Sequence, residues 1–145
     1  RYPRDGLAAV MREKLRGVPA PQIQALAEQI TEDAAVVYKP LETLFVDGPW
    51  HKGRITLLGD AVHATTPHLG QGAGMAIEDS LVLAEELTRA SDPEAAFAAF
   101  RARRVERCRY IVEASVAICE SQVQGRHVDQ GKATADMFEI VAQPI

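Results

Sequence analysis

Ile55-Thr56-Leu57-Leu58-Gly59-Asp60-Ala61-Val62-His63-Ala64-Thr65-Thr66-Pro67-His68-Leu69-Gly70-Gln71-Gly72-Ala73-Gly74 is the stretch on which the fold turns. The unalternated run Ile55–Leu58 suits a strand buried on both faces, as in a parallel sheet. Asp60 stands at its C-terminal end, and a glycine-rich loop follows. From Gly74 to about Arg89 the pattern becomes helical, with Ile77, Leu81, Ala84 and Leu87 on one face. In open α/β sheets, ligands sit at that end of the strands. A carboxylate there can accept hydrogen bonds from sugar or polyol hydroxyls. Gly70, Gly72 and Gly74 clear side chains from a backbone that a ligand must approach, and the helix start offers free N–H groups with partial positive charge. The combination suits a ligand carrying hydroxyls and a site of negative charge. No Gly-Lys-Ser/Thr follows, which excludes the Walker loop. The ten or so residues between Asp60 and the helix fit the dinucleotide fingerprint poorly.

Outward from this stretch the chain reads as mostly helical. Two helices are expected before residue 33: Gly6 to Leu15, and one starting near Pro21 with Ile23, Leu26, Ala27 and Ile30 at helical spacing. Ala35–Tyr38 and Thr43–Val46 are short strand candidates, bounded by Pro40 and by Asp47-Gly48-Pro49. Asp92 before Pro93 is a strong helix start. The apolar spacing from Phe97 through Cys119 predicts one long helix reaching Gly125, and a last helix is expected from Lys132 to Val141. The run Arg101, Arg103, Arg104, Arg107 and Arg109 is expected to form a solvated face interleaved with glutamates.

The 145 residues are enough for one domain, with 47% hydrophobic and 25% charged residues and a net charge of −4. Nothing in that balance calls for nucleic acid or an anionic membrane as partner. No apolar run approaches the roughly 18 residues of a membrane span. Cys108 and Cys119 lie about three helical turns apart, too far for a disulfide, and read as two buried thiols of a reducing, cytoplasmic compartment. The first residue is Arg1 rather than Met, so a fragment or processed product is expected.

The ordered string Gly59-Asp60-Ala61-x-His63-x-x-x-Pro67-x-x-Gly70-Gln71-Gly72-x-Gly74-x-x-x-Glu78-Asp79 resembles the second FAD-binding motif of the para-hydroxybenzoate hydroxylase family. These are single-component, class A flavoprotein monooxygenases. Trp50-x-x-Gly53-Arg54-Ile55-x-Leu57-Leu58 upstream is similar to that family's lead-in. Leu81-x-Leu83-Ala84-x-x-Leu87 and Phe100-x-x-Arg103-Arg104 downstream are similar too. The resemblance implies that Asp60 holds the ribityl hydroxyls of FAD. Gly70, Gln71, Gly72, Ala73 and Gly74 would place N–H groups near the pyrimidine end of the isoalloxazine, stabilising negative charge on the reduced ring. Pro67 and His68 would stand at the edge of the substrate pocket. The family's Gly-x-Gly-x-x-Gly unit for the ADP half of FAD and its middle Asp-Gly motif do not occur in these residues, so the chain resembles the C-terminal third of such an enzyme.

For the intact enzyme the resemblance implies an α/β fold, a Rossmann-like FAD/NAD(P) domain with an inserted substrate domain. Within this chain, residues 1–49 are expected to end the substrate domain, 50–90 to carry the strand, glycine loop and helix of the FAD motif, and 91–145 to form C-terminal helices. The implied activity is hydroxylation of a small aromatic substrate with FAD, O2 and NAD(P)H, by an enzyme expected to be a homo-oligomer. Related FAD oxidoreductases (epoxidase, halogenase, isoprenoid reductase) share the loop, and a non-catalytic, self-associating fragment is the reading of another class. No catalytic residue is assigned. No metal is expected: His51, His63 and His68 have no carboxylate or cysteine at ligand spacing in sequence. His63 reads as a structural hydrogen-bonder under the loop. Adjacent residues on a helix diverge by about 100°, so one of Glu78 and Asp79 is expected to brace the loop or face solvent.

Overall fold

A computed structural model describes residues 5–145 and divides the chain into two compact units, Arg1–Leu41 and Glu42–Ile145. In the first, α1 (Leu7–Arg16) packs on α2 (Pro21–Gln29), and Pro21 takes the first helical turn, where its missing N–H costs nothing. Asp33 closes this unit from a 3₁₀ turn (Asp33–Ala35). Its carboxylate accepts from the N–H of Gly6 at 2.6 Å and of Ala8 at 2.8 Å, and these bonds hold its pKa below the ordinary value. The strand expected at Ala35–Tyr38 is replaced by this turn and irregular chain.

The second unit is built on two helices. The 18-residue α4 (Gly72–Arg89) packs along the 31-residue α5 (Pro93–Val123), and α6 (Gln130–Val141) leans on α5. The starts follow local chemistry. Asp92 accepts from the N–H of Ala95 at 3.0 Å, with Pro93 in the first turn, and Asp129 accepts from Lys132 at 2.9 Å. Gly125, at φ +66°, ends the long helix. Trp50, 1% exposed, centres the core beside Phe100 at 5.6 Å between ring centroids. Its indole N–H donates to the carbonyl of Val46.

The expected strand Ile55–Leu58 takes a different form. His51–Lys52 (β1) and Ile55–Thr56 (β2) pair antiparallel, with His51 opposite Thr56 and Lys52 opposite Ile55. Gly53, at φ +54°, and Arg54 form the two-residue turn that folds the run back on its lead-in. A short apolar run cannot distinguish this hairpin from a buried parallel strand, and Ile55 and Leu57 are 73% and 43% exposed. Thr43–Val46 is likewise no regular strand. Its backbone donates from Leu44 to Ala64 and from Val46 to Val62, both at 2.9 Å, tying it to the segment after Asp60.

Helix α4 buries Met75, Asp79, Val82 and Glu86 against α5. The face on which the sequence placed its apolar residues is the exposed one: Ile77 is 64%, Leu81 58% and Leu87 47% accessible. The arginine run of α5 is not a solvated face. Arg104 is fully buried, and Arg107 is nearly so. Arg103 pairs with Glu85 and Glu86, Arg107 with Glu78 and Arg109 with Asp47, while Arg101 donates to the carbonyls of Asp47 and Gly48. The long helix is covered on several sides, so its arginines turn toward carboxylates of its neighbours. Cys108 is buried, Cys119 is partly exposed, and both are free thiols.

Candidate functional site

Asp60 opens a short helix, α3 (Asp60–His63), reached through Gly59, whose φ of 57° and ψ of −140° favour glycine strongly. The carbonyl of Gly59 accepts from the N–H groups of Val62 and His63, both at 3.0 Å, which winds the turn. A 3₁₀ turn (Pro67–Leu69) and Gly70 at φ +66° then bring the chain to α4. Between α3 and the start of α4 lies a cleft of about 600 Å³, lined by Asp60, Thr65, Pro67, Gly70, Gly72 and Ala73 among others.

Asp60 is exposed on this cleft. The first N–H groups of α4 have no intrahelical acceptor and carry the positive end of the helix dipole. A Cβ at Gly72 would stand 3.7 Å from Thr65 Cγ2, inside ordinary contact, so glycine here keeps the floor low rather than relieving backbone strain. Gln71 and Gly74 are turned to each other: a Cβ on Gly74 would meet Gln71 Oε1 at 3.3 Å. His68, half-buried, has its Nδ1 3.0 Å from Thr66 Oγ1 within the same loop. Thus Asp60, Pro67, Gly70, Gly72 and Ala73 share the cleft wall, while His68, Gln71 and Gly74 flank it.

Beneath the cleft is a cluster that sequence reasoning found only in part. Asp79, fully buried, accepts through Oδ2 from the N–H of Gly59 at 2.8 Å and lies 2.6 Å from His63 Nε2. Its Oδ1 accepts from Arg104 Nε at 2.8 Å. Arg104 also approaches Glu78 Oε2 at 2.5 Å, the carbonyl of Met75 at 3.3 Å and Cys108 Sγ at 3.7 Å. Burial alone disfavours a charged imidazole, but the Asp79 hydrogen bond and the Cys108 sulfur outweigh it and push the His63 pKa up to about 10. Burial would raise Asp79, yet His63, Gly59 and Arg104 together hold it below the usual carboxylate range.

His63 therefore does act as a hydrogen-bonder under the loop, and Asp79 is the bracing member of the Glu78-Asp79 pair. No carboxylate or cysteine stands at ligand spacing beside the histidines in sequence, but the fold brings two of them to His63: ligand atoms of His63, Asp79 and Cys108 lie within 4.8 Å of one another. The fixed cation of Arg104 against the same carboxylate makes this an ion-pair hub, because a metal there would face both an engaged ligand and a like charge. The usable signal in sequence was the run Arg103-Arg104, whose second member is the buried one.

A family described as FAD binding domain matches residues 28–115. The 6-hydroxynicotinate 3-monooxygenase of Pseudomonas fluorescens is 41% identical over 102 residues, covering 67% of this chain and 25% of the relative. Among solved structures, Klebsiella pneumoniae HpxO complexed with FAD and uric acid superposes with a TM-score of 0.70 at 28% identity, over 98% of this chain and 35% of that one. Pseudomonas aeruginosa PqsL in complex with 2-aminobenzoylacetate gives 0.61 at 27% identity, over 95% and 39%. The chain belongs to this FAD-binding family of flavoprotein monooxygenases. It spans about a quarter or less of the length of the curated relatives it matches.

Proposed function

We propose that the chain forms the ribityl and isoalloxazine side of the FAD site in a cytoplasmic monooxygenase that hydroxylates a small aromatic substrate with O2 and NAD(P)H. The observation that carries this reading is the cleft itself, with the exposed carboxylate of Asp60 on one wall and the N-terminus of α4 on the other. Asp60 would accept hydrogen bonds from the ribityl hydroxyls, and the N–H groups of Gly72, Ala73 and Gly74 would stabilise negative charge on the reduced ring. Gln71 stands at the head of that helix. Pro67 and His68 border the side from which the aromatic substrate enters. FAD supplies the redox chemistry when bound, and the protein's share is orientation, electrostatics and exclusion of water.

In this reading, residues 1–49 close the substrate domain, 50–90 carry the FAD motif and 91–145 brace it from behind, within an α/β enzyme. The exposed apolar face of α4 and the open hairpin fit a chain covered by further protein, whether from the same enzyme or a second copy. The test is oxygen uptake by the full-length flavoenzyme carrying this chain, with NADH and NADPH against a panel of hydroxylated aromatic and N-heteroaromatic acids. One equivalent of ring-hydroxylated product per O2 consumed is expected from at least one ring. A protein that takes up FAD but transfers oxygen to none of them, epoxidising or reducing an alkene instead, overturns the aromatic assignment.

A further inference from the structure

We propose that Asp79, clamped by Arg104, is the positioning residue that sets the Asp60 carboxylate in the cleft, although neither Asp79 nor Arg104 reaches the cleft. This rests on reading the cleft as the flavin site. A single oxygen, Asp79 Oδ2, meets both ends of the α3 turn: the N–H of Gly59 at 2.8 Å before it and the ring of His63 at 2.6 Å at its close. Asp60 is the first residue inside that closed turn. The second oxygen is fixed by Arg104 Nε at 2.8 Å, from the middle of the longest helix.

The geometry seats the backbone on which Asp60 is carried. Gly59 is buried, and a Cβ there would come within 3.2 Å of Ala76 Cβ on α4, so the backbone is already seated against the helix that carries Asp79. Removing the Asp79 carboxylate leaves a buried N–H at Gly59 and an imidazole at His63 without their acceptor, and the turn has to open to satisfy them with water. Opening moves Asp60, because it lies between the two released groups. Arg104 acts one step further back. Its Nη2 also donates to the carbonyl of Met75, in the first turn of α4, so one guanidinium references both the α3 turn and the helix start that form the two walls of the cleft. The cleft is therefore held to width from behind, by residues that a ligand never touches.

A double-mutant cycle on FAD affinity tests this in the full-length flavoenzyme, with fluorescence quenching of the free cofactor as readout and thermal melting to confirm folding. Asp60→Ala alone is expected to weaken FAD binding by roughly ten- to a hundredfold. Asp79→Asn, which keeps volume but loses the charge, is expected to cost about tenfold when Asp60 is present and less than about twofold in the Asp60→Ala background, because its effect passes through Asp60. Should Asp79→Asn not fold, Arg104→Lys, which retains the charge and loses the Nε bond, serves in the same cycle with the same expected coupling. A role confined to general stability predicts additive losses. Additive losses, with Asp60→Ala showing its full effect, overturn the positioning role alone. An unchanged affinity in Asp60→Ala overturns the flavin reading of the cleft, and the positioning role with it.

Discussion

Arg104 Nε donates to Asp79 Oδ1 at 2.8 Å, joining α5 to α4 between two side chains with no exposure to solvent. A buried pair of this kind adds little relative to an apolar pair of equal volume, but losing one partner strands the other charge away from water. Arg104→Ala is expected to destabilise the chain by about 1.5–3 kcal/mol, since buried Asp79 loses its charge-assisted bond to the guanidinium and keeps only His63, while Glu78 keeps Arg107. Urea denaturation followed by circular dichroism measures it. A loss under about 1 kcal/mol means that water replaces the guanidinium at no great cost.

His63 makes stability depend on pH. Its pKa is raised from 6.5 unfolded to about 10 folded, so its contribution is complete below pH 6.5. Between pH 6.5 and 10 the folded state holds a proton that the unfolded state has released, and the contribution declines until it is gone above the folded pKa. The expected slope attributable to this residue is up to about 1.4 kcal/mol per pH unit. His63→Gln should flatten the decline across that window. Thermal melts of both proteins from pH 6 to 10 decide it; parallel curves contradict a charged imidazole at this position.

The helices were legible because their signals are local. Asp92-Pro93 and Gly125 mark the limits of α5, and apolar spacing fills the interval. The hairpin was not, because Ile55–Leu58 has no alternation to show which face is wet, and the Gly53-Arg54 turn lies outside the run. Arg104 was misread for a similar reason. On a helix crowded with arginines, only the fold shows that its partner waits 25 residues upstream on α4. Of the residues that an ordered motif singled out, Asp60, Pro67, Gly70, Gly72 and Ala73 lie together on the cleft, while His68, Gln71 and Gly74 are not among its lining residues.

Ile77, Leu81 and Leu87 form an exposed apolar face on α4, and Ile55 and Leu57 are open on the hairpin. Surfaces of this kind seek cover. The 145-residue chain by itself is expected to self-associate, and Leu81→Lys with Ile77→Lys should shift it toward the monomer. Light scattering after size exclusion, across a concentration series, reads the mass. A wild-type chain that stays monomeric at high concentration contradicts the expectation.

A flavin seated in this cleft requires Asp60 as its ribityl contact. The most direct measurement compares the dissociation constants of FAD and of ADP, which lacks the ribityl chain and the ring, in wild-type and Asp60→Ala full-length flavoenzyme. The expected result is a loss of roughly ten- to a hundredfold for FAD, from one charge-assisted hydrogen-bond site, with ADP affinity unchanged. An FAD affinity that does not move, or an ADP affinity that falls by the same factor, would mean that Asp60 does not meet the ribityl chain.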